Sequence, residues 1–114
     1  MQIINQTRQT VLVKQGQVAD TFWLRLKGLL GKSCLEPGEG LVLVGEKSIH
    51  TLFMKFPIDV VYLDKNNQAV RIDVNMIPYR LGPFIAKSVY VVEVPVGTIV
   101  ATATQVGDQL VFKD

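Results

Sequence analysis

The stretch Ser48-Ile-His-Thr-Leu-Phe-Met-Lys-Phe-Pro-Ile-Asp-Val-Val-Tyr-Leu-Asp64 decides how this chain is read. Its second half, Ile58 to Leu63, is a short apolar and β-branched run, the signature of a buried strand. Asp59 interrupts that run. A buried carboxylate is costly unless it is paired or hydrogen-bonded, so Asp59 is expected to have a structural or functional partner. The first half, residues 49–54, reads as a further strand and holds His50, the only histidine. Phe56-Pro57 separates the two halves, and proline gives a ladder no N–H, so a bend or bulge is expected there.

Working outward, most of the chain has the same β character. Gln9-Thr-Val-Leu-Val-Lys14 reads as a strand ending at Gly16. Leu41-Val-Leu-Val44 is another, preceded by the turn signal Pro37-Gly-Glu-Gly40. Asp64-Lys-Asn-Asn-Gln68 is a hairpin loop into Ala69-Val-Arg-Ile-Asp-Val-Asn-Met76, where strict alternation places Val70, Ile72, Val74 and Met76 on one face. Pro78-Tyr-Arg-Leu-Gly-Pro83 is a loop, residues 88–94 a strand, and Leu110 to Phe112 the last strand. Residues 98–104 are compatible with a strand or with one short helix begun at Thr98.

One segment breaks the pattern. In Asp20-Thr-Phe-Trp-Leu-Arg-Leu-Lys-Gly28, residues Phe22, Trp23 and Leu26, continued by Leu29 and Leu30, recur at helical spacing. Asp20 suits the N-cap, and Gly28 or Gly31 the stop. Trp23 is expected to plug the helix onto the sheet. The sum is a mainly β fold, a sandwich or barrel of mostly antiparallel strands with one short helix near residues 20–28.

Length and composition set the class. A chain of 114 residues that is 48% hydrophobic reads as one ordered domain, 1–114. No apolar run approaches the ~20 residues of a transmembrane helix. The start lacks the pattern of a secretion signal, so a cytoplasmic setting is expected. Lone Cys34 allows no internal disulfide and no cysteine-rich metal site. A net charge of +2 is too small to imply nucleic acid. The early cluster of Arg8, Lys14, Arg25, Lys27 and Lys32, with Glu36, Glu39 and Glu46 following, reads as a solvated mixed surface.

Three segments carry a resemblance. Ala19-Asp-Thr-Phe-Trp-Leu-Arg-Leu-Lys-Gly-Leu-Leu-Gly-Lys32, Pro37-Gly-Glu-Gly-Leu41 and Ser48 to Asp64 resemble the DUF192 family of small bacterial and archaeal proteins, and Val92-Glu-Val-Pro-Val-Gly-Thr98 and Val106-Gly-Asp108 fit it too. The resemblance implies a jelly-roll-like β architecture and no established activity. Relatives often carry a Pro-Cys pair just before the Ser-Ile-His motif, where this chain has Gly45 and Glu46, so no family thiol is expected to act here. Many relatives are exported, a property that this N-terminus does not suggest.

Candidate chemistry rests on His50, Asp59 and Glu93, with Arg25 as counter-charge. Such a set offers a polar network, or ligands for metal-assisted or acid–base hydrolysis. None of it has the local spacing of a known catalytic motif, and no dedicated metal site is read. Trp23, Met54, Phe56, Tyr79 and Phe84, with Arg80 and His50 at the mouth, are the expected lining of an apolar cleft. The reading that results is a non-catalytic module that binds a small ligand or a protein partner of unknown identity. The alternatives are a hydrolase using His50, Asp59 and Glu93, and a homo-oligomeric scaffold built on an exposed strand edge. No cofactor is legible.

Overall fold

The computed structural model describes residues 1–114, apart from the side chains of Phe22 and Leu26. Eight strands and two short helices follow in the order β1 (Gln2–Asn5), β2 (Thr10–Val13), β3 (Gln15–Ala19), α1 (Phe22–Lys27), β4 (Glu39–Val44), β5 (Ile58–Leu63), β6 (Ala69–Met76), β7 (Tyr90–Pro95), α2 (Thr98–Thr102) and β8 (Leu110–Lys113). They form a three-stranded sheet, β2-β1-β8, and a five-stranded sheet, β3-β4-β7-β5-β6. Every pair is antiparallel except β3 with β4. The fold is therefore the expected β-sandwich type, with two sheets rather than a closed barrel.

The larger sheet is covered on both faces. Val42, Val61, Leu63, Val92 and Val94 meet Ile3, Leu12, Val13 and Leu110 of the smaller sheet in one core. On the other face Leu43, Ile58, Val60, Tyr62 and Val91 meet Leu29, Ile49 and Met54 from the helix exit and a long connection. Double coverage explains why β5 and β7 read as near-continuous apolar runs instead of alternating ones.

Several local expectations are corrected. Residues 49–54 form no strand: His50 makes an isolated bridge to Leu81, Thr51 N–H bonds Arg80 O, and Phe53 adopts a left-handed φ of 64°. Strict alternation in β6 fails because its register against β5 shifts twice. Val70 and Met76 pack on the second core, Ile72 reaches the first, and Val74 is exposed. Residues 98–104 contain a helix, whose N-cap is Gly97 rather than Thr98.

In α1 the cap is Thr21, whose side chain accepts from Leu24 N–H at 3.2 Å, and not Asp20. Gly28 ends the helix at a φ of 47° as expected. Trp23 is 74% exposed, so it is no core plug. The expected packing of Phe22 and Leu26 lies outside the described residues.

No helix among the described residues is long and apolar enough to cross a membrane. Cys34 is exposed, and its thiol hydrogen-bonds the Glu36 carboxylate, which raises its pKa and disfavours a reactive thiolate.

Candidate functional site

Strand register builds the floor of the site. Glu93 on β7 stands opposite Leu41 of β4 and Val60 of β5, and Val60 stands opposite Asp73 of β6. These side chains form one lateral row on the face that carries Leu43, Val91 and Tyr62. Over that row lie α1, its exit and residues 46–54. Between them is a cavity of about 310 Å³, lined by Arg25, Lys27, Gly28, Leu29, Leu30, Leu43, Glu46, Ser48, Ile49, His50, Met54 and Glu93.

The roof is held by main-chain contacts. Lys47 Nζ donates to Ala86 O at 2.8 Å and Ser88 O at 2.9 Å. Thr51 Oγ1 donates to Ile77 O at 2.6 Å and accepts from Arg80 N–H at 2.9 Å. Gly82 N–H bonds Ile49 O at 2.8 Å, and only glycine fits there, since a Cβ would lie 2.8 Å from that oxygen and 3.1 Å from the Tyr62 hydroxyl.

Arg25 sits at the rim. Its Nη1 donates to Val44 O at 3.1 Å, and its Nε lies 3.1 Å from Glu46 Oε1. The pair is about one-third exposed, so it orients the guanidinium more than it stabilises the fold. His50 is exposed beside the cavity, and Lys27, on the last turn of α1, also borders it.

Glu93 differs from every other acid here. It is 4% exposed, and no described residue gives its carboxyl a hydrogen bond. Burial alone raises its pKa from 4.5 to about 8. Around neutral pH burial therefore favours the neutral carboxylic acid at the cavity floor. Beside it, Tyr62 Oη and Asp73 Oδ2 are buried without hydrogen bonds. Burial first, then the Asp73 carboxylate, pushes the Tyr62 phenol well above its ordinary range.

Asp59 does not join this group. It pairs in register with Val94, whose side chain belongs to the opposite core, so its carboxylate leaves the other face of the sheet. There Oδ1 accepts from Asn75 N–H at 2.8 Å, and Oδ2 accepts from Gly97 and Ile99 N–H at 3.1 and 3.2 Å. Asn75 lies where the β5–β6 register slips, with a left-handed φ of 53°, and Gly97 and Ile99 begin α2. Asp59 thus supplies the cap that α2 lacks locally and ties it to the bulge. The convergence of His50, Asp59 and Glu93 is corrected on this ground, as is an Arg25–Asp59 contact, since Arg25 turns to Glu46.

Of the expected lining, Met54 borders the cavity and Phe56 packs half-buried on the adjoining core. Trp23, Tyr79, Arg80 and Phe84 are exposed and stand outside it. Sequence reasoning missed Lys27, Leu29, Leu30, Leu43, Glu46, Ser48 and Ile49. The alternation in β7, with Val91 and Glu93 on one face and Val92 and Val94 on the other, was the available signal for an acid pointing away from the main core. Among the described residues no three of His, Cys, Asp and Glu gather as metal ligands.

The family model DUF192, described as Uncharacterized ACR, matches residues 3–112. The chain belongs to the DUF192 family. It is 30% identical over 112 residues to a UPF0127 protein of Thermococcus sibiricus, covering 95% of this chain and 72% of that one. A UPF0127 protein of Pyrococcus furiosus is 32% identical over 114 residues, with 95% of each chain covered. The crystal structure of a protein of unknown function from Novosphingobium aromaticivorans superposes with a TM-score of 0.84 at 18% identity, over 97% of this chain and 82% of that one. That likeness shows a shared fold. Function within the family is uncharacterised, so the reading of the cavity rests on its own chemistry.

Proposed function

We propose that this protein is a non-catalytic small-ligand-binding module whose site is the cavity between α1, residues 46–54 and the five-stranded sheet. The observation that carries the reading is Glu93, a buried carboxyl with no hydrogen bond among the described residues, at the floor of an apolar hollow of ligand size. Its carboxyl borders the hollow with no protein partner among the described residues, and that open hydrogen-bonding capacity is what an incoming ligand would complete. Acid–base catalysis asks for a pair of groups within hydrogen-bond reach, and Glu93 has no such partner among the described residues.

A fragment screen followed by amide chemical shifts tests this. Binding should move the amides of Leu29, Leu43 and Ile49, and Ser48→Phe, which fills the hollow from its rim, should abolish those shifts without changing the rest of the spectrum. Shifts confined to the exposed Phe53–Tyr79 edge-to-face pair would instead favour a protein-docking role. No response at the cavity residues would end the proposal.

A further inference from the structure

The cavity is asymmetric in charge, and that asymmetry selects a ligand class. At its rim stand two cations, Arg25 and Lys27, against one acid, Glu46. The Arg25 guanidinium uses Nη1 on Val44 O and Nε on Glu46, which leaves its Nη2 edge available. Walls of Leu29, Leu43, Ile49 and Met54 separate this rim from Glu93 at the floor.

We infer that the cavity takes a small organic anion, its carboxylate at the Arg25–Lys27 rim, its apolar body along the leucine and isoleucine walls, and a carbonyl or hydroxyl acceptor over Glu93. The inference rests on the binding-cavity reading above. An amine is disfavoured because it would have to pass two cations, Arg25 and Lys27, to enter. A phosphate is served less well, because one edge of the rim is occupied by the Glu46 carboxylate. A purely apolar molecule would leave the Glu93 hydrogen unmatched. A hollow of about 310 Å³ is at the small end of ligand pockets, which suits a short-chain oxo acid.

The charged and titratable groups near Glu93 are Arg25, Lys27, Glu46 and His50 across the cavity, with Tyr62 on the same sheet face and Asp73 at the far end of its row. Of these, the Tyr62 phenol stays protonated through the neutral range, and the Glu93→Gln variant separates loss of a proton from Glu93 from any charge change at His50.

Four probes separate the terms by calorimetry on the intact chain: 6-oxoheptanoate, heptanoate, heptan-2-one and hexylamine. The oxo acid should bind about tenfold tighter than heptanoate, which lacks the acceptor, and about tenfold tighter than heptan-2-one, which lacks the carboxylate. Raising the pH from 6 to 9 should weaken the oxo acid about tenfold, and Glu93→Gln, which keeps a neutral donor, should bind it with no such pH dependence. Lys27→Gln, on the exposed last turn of α1, should weaken the two acids and spare heptan-2-one. Tightest binding by hexylamine, or equal binding of oxo acid and ketone, overturns the anion assignment. If none of the four binds while other fragments still shift the cavity amides, the ligand class is wrong and the cavity reading survives. If no compound reaches those amides, both fall.

Discussion

Asp59 and Glu93 lie on adjacent central strands of the five-stranded sheet, one residue apart in register, and their carboxyl groups leave opposite faces. Asp59 faces Val94 and Glu93 faces Val60. Both are buried, yet their surroundings are unlike: Asp59 accepts three backbone N–H bonds, and Glu93 accepts none among the described residues. One acid is built into the backbone of the fold, and the other is left facing a space. That division separates what stabilises this protein from what is available to a ligand.

Removing the first acid should be severe. Asp59→Ala strands the N–H groups of Asn75, Gly97 and Ile99, and should destabilise by about 3 kcal/mol or more. Asp59→Asn keeps one acceptor oxygen and should lose about 1–2 kcal/mol. Urea denaturation measures both. A loss under about 0.5 kcal/mol for the alanine variant would mean that these bonds do not hold α2 to the sheet.

Glu93 makes stability depend on pH in the opposite sense to an ordinary salt-bridged acid. Its folded pKa is raised from 4.5 to about 8, so the folded state holds a proton that the unfolded state has released in that window. The contribution is fully present below about 4.5 and is lost as pH rises to about 8, with a slope of at most about 1.4 kcal/mol per pH unit. Glu93→Gln removes this dependence, so its stability relative to the parent should improve steadily from pH 5 to 8. A constant difference across that range would contradict the assignment.

Tyr62 carries a buried hydroxyl that lies near the Asp73 carboxylate but meets it in no well-formed hydrogen bond. Tyr62→Phe removes a desolvated group and should leave stability unchanged or raise it by up to about 1 kcal/mol in thermal or urea unfolding. In an ultraviolet titration of the folded chain, this phenol should ionise well above the ordinary range of a tyrosine. A Tyr62→Phe variant destabilised by about 2 kcal/mol would reveal a partner for the hydroxyl.

Gly82→Ala tests the roof. The added Cβ meets backbone oxygen of Ile49 at 2.8 Å, so the two segments must part. Stability should fall by about 1–3 kcal/mol, and the amide of Ile49, which borders the cavity, should shift. An unchanged Ile49 resonance would show that the Gly82 contact does not shape the site.

How much of this was legible follows from the range of the contacts involved. β5, β6 and the core of β7 were readable because their burial is written in local runs of apolar residues. β1 and β3 were not: β1 is four residues long, and Gln15–Ala19 is a largely exposed parallel edge whose pairing with β4 only the fold supplies. Residues 49–54 carry strand-like side chains, but their backbone bonds go to the 77–85 loop, which local propensity does not record. At the site, Arg25, His50 and Glu93 were singled out and do share one cavity. The face of Asp59 was hidden, because it depends on Val60 meeting Glu93 across two strands more than 30 residues apart in sequence.

Glu93, held neutral by burial and open to the cavity, is the group on which ligand binding depends. A carbon-detected NMR titration of the side-chain carboxyl of Glu93, with and without 6-oxoheptanoate, tests that directly. The expected result is a midpoint near 8 in the free protein and a higher one with the oxo acid bound. A midpoint near the ordinary 4.5, unmoved by the compound, would contradict it.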